Sequence, residues 1–302
     1  MQPLQWEYRP DSLRAPALVC AFKGWNDAGD AASNAITFVG TALGARRFAT
    51  IDPEDFYDFQ NTRPQVKMVE GVARSIVWPA VELFEARIPR APRDLVLLTG
   101  TEPSMRWRTF TRVIVELAEA LGTQLVVTLG SLLADVPHTR AVSVTGLASD
   151  PGLVSRLGLQ NSSYEGPTGI VGVLHAACQQ SGLPSASLWA AVPHYIAAAP
   201  NPKASLALVR KLEGLGGVAV DASELESASA DYERQVNLAV QSDPDVQAFV
   251  ERLEQAAGTE EGEAPGPLPS GETIARDLQR FLRQRGDDVP PTAGGGSGPP
   301  RF

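Results

Sequence analysis

The chain alternates, up to about residue 215, between short apolar runs with strand character and longer segments with helical periodicity. This alternation constrains the fold more than any other feature, because a strand–helix repeat is typical of α/β architecture. Runs such as Leu95–Leu98 and Leu125–Leu129 are almost entirely apolar, as expected for parallel strands that are buried on both faces. The predicted strands are Ala17–Phe22, Arg46–Ile51, Val66–Gly71, Ala73–Trp78, Asp94–Thr99, Gln124–Leu129, Ala141–Thr145 and Ser187–Val192.

Helical patterns and turn signals fill the intervals between these strands. The strands that meet at Glu70–Gly71 are predicted to form an antiparallel hairpin at an edge of the sheet. The predicted helices are Asp27–Leu43, Phe110–Leu121, a short helix opened by Asp150–Pro151, a helix capped by Thr168 that ends at Gly182, and Ala204–Leu215.

The sequence changes character after residue 220. Residues 1–220 contain 19 acidic and 19 basic side chains, whereas Asp221–Glu263 contains 12 acidic and 2 basic ones. We interpret the acidic segment as a helical hairpin whose charged side is either a solvated face or a partner surface. The predicted regions are an α/β sandwich domain (1–220), the acidic helical hairpin with a capping box at Ser223 and Glu226 (221–257), a linker (258–271), an amphipathic helix (272–285) and a disordered tail (286–302).

Charge and hydropathy argue against several classes of protein. The sequence has no basic stripe of the kind that nucleic-acid binding requires, and no apolar run near the roughly 20 residues of a membrane helix. The N-terminal residues do not resemble a secretory signal, and two cysteines do not make a disulfide framework. We therefore expect a cytoplasmic protein that binds neither nucleic acid nor membranes.

The common nucleotide and metal motifs do not fit this sequence. None of the four lysines is followed by Ser or Thr, so there is no phosphate-binding P-loop. The GxGxxA match at Gly214, Gly216 and Ala219 follows a helix, where glycines are expected to end the helix. No HExxH or GxSxG pattern occurs. We therefore predict no cofactor and no metal.

Polar residues nevertheless follow several predicted strands at their carboxyl ends. Open α/β sheets usually bind ligands at this edge, because loops from neighbouring parallel strands converge there. Carboxylates and histidines brought together in this way could perform general acid–base chemistry or hydrolysis. The candidates for such a cleft are Asp27, Asp30, Glu102, Asp135, His138, Glu165 and His194.

Most of these candidates also have a structural interpretation. Asp27 stands where a helix cap belongs, and the carboxylate three residues later favours the helix dipole. Glu102 precedes a proline in a pattern typical of a turn, while Asp135 and His138 flank a proline, where a local hydrogen bond would rigidify the loop. His194 follows a proline at a strand end, where packing accounts for it equally well.

Four stretches point to a family when they are considered together. They are Gly24–Ser33 (GWNDAGDAAS), Leu129–Arg140 (LGSLLADVPHTR), Tyr164–Leu174 (YEGPTGIVGVL) and Ser187–Ile196 (SLWAAVPHYI). In pattern and order, roughly residues 4 to 255 resemble the bacterial branch of the proteasome assembly chaperone family, of the type named after the second chaperone subunit.

The resemblance carries expectations about both fold and function. It implies a three-layer α/β/α sandwich with a mostly parallel sheet, similar to the purine nucleoside phosphorylase fold, and a helical C-terminal extension. It also implies homo-oligomers such as trimers, protein partners such as proteasome subunits, and no established catalysis.

One departure from the family pattern concerns the last residues. Chaperones of this family that dock on the proteasome core often end in a hydrophobic–Tyr–X tail, whereas Arg301 stands at the tyrosine's place here. The departure leaves the docking mode of this chain open, and we expect deletion of Gly258–Phe302 to leave the oligomer intact.

Two functions from different classes remain open at this point. The first is a non-enzymatic, oligomeric protein-interaction module that resembles an assembly chaperone. The alternative is a hydrolase or phosphorylase that acts on a nucleoside-like substrate in the loop cleft. A cavity joining Asp27, Glu102, His138 and His194 would favour the enzyme, whereas helix caps and backbone bonds at these residues would favour the interaction module.

Overall fold

The computed structural model describes residues 3–69, 73–150, 152, 165–196 and 199–260. The strands are β1 (Leu4–Trp6), β2 (Ala17–Lys23), β3 (Arg46–Ile51), β4 (Gln65–Val69), β5 (Ala73–Val77), β6 (Val81–Ala86), β7 (Leu95–Thr101), β8 (Leu125–Ala134), β9 (Val144–Ala148) and β10 (Ser185–Pro193). The helices are α1 (Ala31–Ala42), preceded by a 3₁₀ turn at Ala28–Asp30, α2 (Trp107–Ala120), α3 (Ile170–Gln180), α4 (Pro202–Gly216), α5 (Ser223–Gln241) and α6 (Pro244–Glu260). None of the helices in these ranges combines the length and the apolar character that crossing a bilayer requires.

Eight strands form one mixed sheet in the order β1-β3-β6-β7-β2-β8-β10-β9. The pairs β7–β2, β2–β8 and β8–β10 are parallel, and the other pairs of this sheet are antiparallel. A mostly parallel sheet was expected, whereas parallel pairing is confined to the four central strands. Two of the antiparallel pairs involve β6, which is absent from the sequence prediction and inserts between β3 and β7, and the other two involve the edge strands β1 and β9.

Helices cover both faces of this sheet. On one face α1 and α4 pack against alternate residues of the strands, such as Val19 and Ala21 of β2. On the other face α2 and α3 pack against the intervening residues, such as Leu18 and Cys20. The central strands are therefore buried on both sides, which explains their continuous apolar sequences. The predicted three-layer α/β/α class is confirmed.

The strands β4 and β5 form a separate two-stranded sheet. Their predicted antiparallel pairing is confirmed, with Val66 opposite Ile76 and Met68 opposite Arg74. The predicted position at an edge of the main sheet is wrong, because β4 and β5 pair with each other and not with a strand of that sheet among the described residues. The predicted turn at Glu70–Gly71 lies outside the described residues.

The acidic segment forms the two helices α5 and α6, which pack on each other through a small apolar cluster that includes Val236, Val240 and Val250. The predicted capping box is not formed. The helix α5 begins at Ser223 itself. The backbone N–H of Ser223 donates to the Asp221 carboxylate (3.1 Å). The short helix expected at Asp150–Pro151 lies almost entirely outside the described residues.

The chain divides into two compact units. The first contains Met1–Ser162 and Thr168–Pro265, and so includes the α/β body together with both acidic helices. The second contains Ser163–Pro167 and Gly266–Phe302, of which only residues 165–167 are described. The predicted linker from residue 261, the amphipathic helix (272–285) and the tail (286–302) lie outside the described residues.

Candidate functional site

The four central parallel strands end at one edge of the sheet, as the topology requires. Asp27 and Asp30 follow β2, Glu102 follows β7, and His194 follows β10. Asp135 and His138 follow β8. The loops of six of the seven predicted candidates therefore leave the sheet at the same edge. Their side chains, however, make bonds in separate groups.

The first group, here called the cap cluster, consists of Asn26, Asp27 and Glu102. Oε1 of Glu102 accepts a hydrogen bond from Nδ2 of Asn26 (2.8 Å) and one from the backbone N–H of Ile170 (2.8 Å). Ile170 is the first residue of α3, so Glu102 caps that helix from a distant loop and places a carboxylate at the positive end of its dipole. Thr168, the residue predicted to cap α3, is not at the cap position. Gly169 lies there instead and has no side chain that could accept a bond.

Asp27 caps a second helix at this edge. Its Oδ1 accepts hydrogen bonds from the backbone N–H groups of Ala32 (2.8 Å) and Ser33 (3.1 Å) in the first turn of α1. The residue is only 6% exposed, and Oδ2 has no partner among the described residues. Burial raises the pKa of Asp27 because the ionised form loses hydration, although the hydrogen bonds of its Oδ1 oppose this effect.

Asn26 fits into a space that leaves no room for a further carbon atom. It is 1% exposed, and a Cβ atom built on Gly169 would lie 2.4 Å from the Asn26 amide. The backbone carbonyl of Asn26 also accepts a bond from the N–H of Ser131 (2.8 Å), which ties the loop after β2 to β8. The contact explains why position 169 is a glycine.

Asp30 does not join the cap cluster. It is half-buried and has a left-handed backbone conformation (φ 51°) as the last residue of the 3₁₀ turn, directly before α1. Its side chain makes no capping bond, whereas its carbonyl accepts a bond from the Ser33 hydroxyl (3.3 Å).

The second group, here called the extension cluster, consists of His138, Tyr195, Lys203, Glu233 and Asn237. His138 is 4% exposed, and its backbone N–H donates to the Tyr195 hydroxyl (2.8 Å). Its Nδ1 lies 2.7 Å from the same hydroxyl, and its Nε2 lies 3.0 Å from Oδ1 of Asn237 on α5. A neutral imidazole protonated on Nε2 satisfies these contacts, with the tyrosine O–H donating to Nδ1.

An ion pair between Lys203 and Glu233 also links these elements. The Lys203 ammonium group donates to the backbone carbonyl of His138 (2.6 Å) and to the Glu233 carboxylate (2.6 Å). Burial raises the pKa of Tyr195, so its hydroxyl remains protonated and available as a donor at neutral pH. The extension cluster therefore joins the loop after β8 and the start of α4 to the acidic helix α5.

The remaining candidates belong to neither cluster, although the His194 ring contacts the Tyr195 ring of the extension cluster, with centroids 6.0 Å apart. Nδ1 of His194 is 2.8 Å from the Asp135 carboxylate, in a pair that is substantially exposed to solvent. The His194 ring also contacts the Phe249 ring of α6, with centroids 5.5 Å apart. Glu165 is exposed and belongs to the second compact unit.

A cavity of about 430 Å³ opens beside the extension cluster. Its wall includes His138 but none of Asp27, Glu102 and His194, so these four candidates do not share this space. Among the described residues, no group of three or more His, Cys, Asp or Glu side chains is arranged to hold a metal ion.

Two features of the molecule were missed in the sequence analysis. Lys203, Glu233 and Asn237 were not singled out. Lys203 and Asn237 lie 65 and 99 residues from His138, and Glu233 joins the cluster only through Lys203. No local sequence pattern connects them. The apolar side of the β4–β5 hairpin was also overlooked. Val66, Met68 and Ile76 share one face of the hairpin because Val66 pairs with Ile76 and Met68 lies two residues from Val66.

These three residues, here called the apolar hairpin face, are 61%, 57% and 55% exposed, respectively. Arg74, which pairs with Met68, shares this face, and the opposite face carries Lys67 and Ser75 together with Gln65 and Val77. Large apolar side chains that cluster on one exposed face typically mark a protein–protein contact.

Comparison with known proteins agrees with this architecture. A PAC2 family protein from Streptomyces avermitilis is 47% identical in sequence, with a TM-score of 0.73, over 78% of this chain and 99% of that one. A proteasome-assembly chaperone homologue from Mycobacterium tuberculosis is 43% identical, with a TM-score of 0.72 and the same coverage. An archaeal proteasome activator from Pyrococcus furiosus shares the fold at 16% identity, with a TM-score of 0.63 over 78% of this chain and 97% of that one. No curated protein matches the chain.

The family is shown by the match to its model as well as by these relatives. The PAC2 family model matches residues 21–240, which include the whole edge that carries both clusters. The resemblance to proteasome assembly chaperones and their bacterial homologues is thereby confirmed, and the chain belongs to the PAC2 family.

Proposed function

We propose that this protein is a non-enzymatic, homo-oligomeric interaction module of the cytoplasm that assists the assembly of protein complexes, with proteasome subunits as the first candidates for its partners. The observation that carries the proposal is the apolar hairpin face. Val66, Met68 and Ile76 are all more than half exposed on a sheet that is separate from the core.

The hairpin has the properties of a surface that is covered in an assembly. A two-stranded sheet is marginally stable by itself in water, and its outer edges present unpaired backbone groups. Since each of the three apolar residues is already partly buried, its complete burial by a partner would contribute roughly 1 kcal/mol. A contact of this kind, either with a second copy or with another protein, would stabilise the hairpin and remove its apolar side from water.

The polar residues of the sheet edge also favour an interaction module over an enzyme. Glu102 and Asp27 use their carboxylates as helix caps, and His138 is bonded through both ring nitrogens. The enzymatic alternative needs these groups around one molecule, and the cavity beside His138 includes neither carboxylate in its wall.

The relatives support the choice of partner. The Mycobacterium tuberculosis relative, which is 43% identical, is a homologue of proteasome-assembly chaperones. The two acidic helices α5 and α6 offer a second surface for a partner, since their outer sides carry acidic residues such as Glu224 and Glu251. Both cysteines, Cys20 and Cys178, are buried and free, which suits a reducing compartment.

The proposal can be tested by crosslinking in the native cell followed by affinity purification and mass spectrometry. Lys67 lies on the same hairpin, on the face opposite the apolar hairpin face, and supplies a reactive amine beside the proposed interface. We expect crosslinks from Lys67 to a second copy of the chain or to proteasome α-subunits. Absence of both, together with a metabolite retained in native mass spectra, would reverse the choice between module and enzyme.

A pair of matched variants sharpens the test. Val66→Lys with Ile76→Lys places charge on the apolar hairpin face, whereas Gln65→Lys with Ser75→Lys adds the same charge elsewhere on the hairpin. We expect the first double variant to lower the oligomer mass in light scattering and to lose the captured partner, while the second retains both. Equal behaviour of the two would remove the hairpin from the interface.

A further inference from the structure

The β4–β5 hairpin and the acidic helices are attached to different parts of the same sheet edge. The hairpin is inserted between Ile51, which ends β3, and Val81, which begins β6, and these two residues pair with each other. Val81 also pairs with Gly100 near the end of β7. The acidic helices are attached beside β8 and β10 through the extension cluster. Two strands, β7 and β2, therefore lie between the two attachment points.

The hairpin carries positive charge beside its exposed apolar residues. Arg74 lies on the apolar hairpin face, and Lys67 lies on the opposite face. Neither β4 nor β5 contains an Asp or a Glu. Both cations are exposed, and neither has an ion pair within the described part of the chain. The hairpin therefore combines an apolar surface with cations that have no local counter-charge.

Helix α5 presents a side of the opposite charge that also carries an exposed apolar residue. The helices α5 and α6 together contain eight acidic and two basic residues. The inner side of α5 is held by the body and by α6 through Asn237 and Val240. Leu238, by contrast, is 68% exposed, and the exposed Asp243 and Asp245 follow directly after the helix. The outward side of α5 around Leu238 is thus apolar with acidic neighbours.

The two surfaces are complementary to each other rather than to themselves. They do not cover each other within one chain, since Leu238 and the three residues of the apolar hairpin face are all more than half exposed. A symmetric contact between two hairpins pairs the same patch with itself, so it would bring Arg74 of one copy toward Arg74 of the other. A contact between the hairpin and α5 joins opposite charges instead, and it buries apolar side chains from both sides.

We propose that the apolar hairpin face of one copy binds the outward side of α5 in the next copy. Val66, Met68 and Ile76 cover Leu238, and Arg74 meets the acidic residues at the end of α5. Because each copy carries both surfaces, the contact is head-to-tail and repeats until the copies close a ring. The inference rests on the proposed homo-oligomer and adds the place at which the second copy binds.

Two variants that each lack one surface test this arrangement. The hairpin variant, Val66→Lys with Ile76→Lys, keeps α5 intact, whereas the α5 variant, Leu238→Lys, keeps the hairpin intact. In light scattering at a fixed protein concentration, each variant alone should have the mass of a monomer. An equimolar mixture should contain a species of twice that mass, because one contact can form between the two variants and none can form beyond it. This dimer also shows that both variants are folded.

The matched control is Ala228→Lys, which adds the same charge to an exposed position of α5 about 15 Å from Leu238 along the helix. It should keep the wild-type mass, and dissociation of this control would contradict a contact centred on Leu238. A mixture of the hairpin and α5 variants that stays monomeric would overturn the inference.

The same measurements separate this inference from the proposed function on which it rests. If the α5 variant keeps the wild-type mass while the hairpin variant is monomeric, the contact with α5 is overturned and the proposed homo-oligomer stands. A monomeric wild type, or a hairpin variant of wild-type mass, would overturn the proposed role of the hairpin in a homo-oligomer and the inference with it.

The contribution of charge can be measured on the mixed dimer. Arg74→Gln, added to the α5 variant, neutralises the cation on the hairpin that forms the contact. In titration calorimetry at low salt, we expect the Kd for the hairpin variant to rise about threefold, and the difference should shrink in about 0.5 M NaCl. An unchanged Kd at low salt would contradict the charge complementarity between the hairpin and α5.

Discussion

The cap cluster and the extension cluster lie at the same edge of the sheet, yet they bond to different kinds of group. Asp27 and Glu102 accept hydrogen bonds from backbone N–H groups at the starts of α1 and α3. His138 and Lys203 instead bond to side chains of α5, namely Asn237 and Glu233. The first cluster is part of the α/β body, whereas the second attaches a further element to that body.

The two clusters should therefore affect different properties of the protein, namely the stability of the whole body and the local opening of the acidic helices. Backbone N–H groups at a helix start have to be satisfied in any conformation that keeps the helix, so the cap cluster should act on the stability of the whole body. Bonds between side chains of different elements can break while each element survives, so the extension cluster should act on local opening of α5 and α6. The following predictions test this division.

Removal of the Glu102 side chain should have the largest effect. Glu102→Ala leaves the Ile170 N–H and the Asn26 amide without their acceptor, and both residues are buried. We expect the free energy of unfolding, measured by urea denaturation at fixed protein concentration, to fall by about 3 kcal/mol. Glu102→Gln keeps an acceptor oxygen and should lose no more than about 1 kcal/mol. Equal losses in the two variants would show that the carboxylate charge, rather than the capping oxygen, matters most.

Removal of the His138 ring should have a smaller and more local effect. His138→Ala breaks the contacts with Tyr195 and Asn237, which should cost about 2 kcal/mol. In hydrogen-exchange mass spectrometry we expect faster exchange in α5 and α6, with the protection of β2, β7 and β8 unchanged. A uniform loss of protection across the sheet would erase the distinction between the two clusters.

A single hydroxyl group offers a finer test of the extension cluster. Tyr195→Phe removes the partner of the His138 N–H and of Nδ1 while the ring contact with Phe249 stays in place. We expect a loss of about 1 kcal/mol, again with faster exchange in α5. In the Tyr195→Phe background, His138→Ala should cost less than it does in the wild type, since the two residues share the same bonds. Strict additivity would mean that these bonds contribute nothing.

The smallest expected effect is the dependence of stability on pH through Asp27. Burial raises its pKa in the folded state, so between the unfolded and the folded pKa the folded protein binds more protons than the unfolded chain. The stability contributed by Asp27 is therefore fully present below the unfolded pKa and is lost as the pH rises through the folded pKa. As the pH falls from 7 to about 4, the unfolding free energy of the wild type should rise relative to that of Asp27→Asn. A shift in the opposite direction would mean that the capping bonds outweigh burial.

The sequence predicted the parts of this edge that depend on local order along the chain. Asp27 is five residues from Ala32, so a polar residue before an alanine-rich helix was enough to identify its capping role. The unbroken apolar runs likewise predicted the central strands, because burial on both faces leaves no polar position in them.

The parts that escaped prediction depend on residues far apart in the chain. Glu102 caps a helix that begins 68 residues later. Thr168 adjoins that helix in the sequence, so local sequence patterns predict Thr168 as the cap and give no reason to choose Glu102. Strand β6 was missed because Glu82 and Glu85 interrupt its apolar pattern, and β1 because three residues are too short to show one. The contact between His138 and Asn237 spans 99 residues. Such pairs become visible only when the sheet has brought their loops together.

The close fit between Gly169 and Asn26 has a consequence for anyone who redesigns this edge. Even a methyl group at position 169 would overlap the amide of residue 26. The two positions therefore have to be varied together in a combinatorial library. A larger residue at position 169 becomes admissible only when residue 26 shrinks, and a shorter residue 26 also gives up the bond to Glu102. Libraries that vary the two positions together, with position 102 as the third, would sample viable sequences that one-at-a-time scanning would discard.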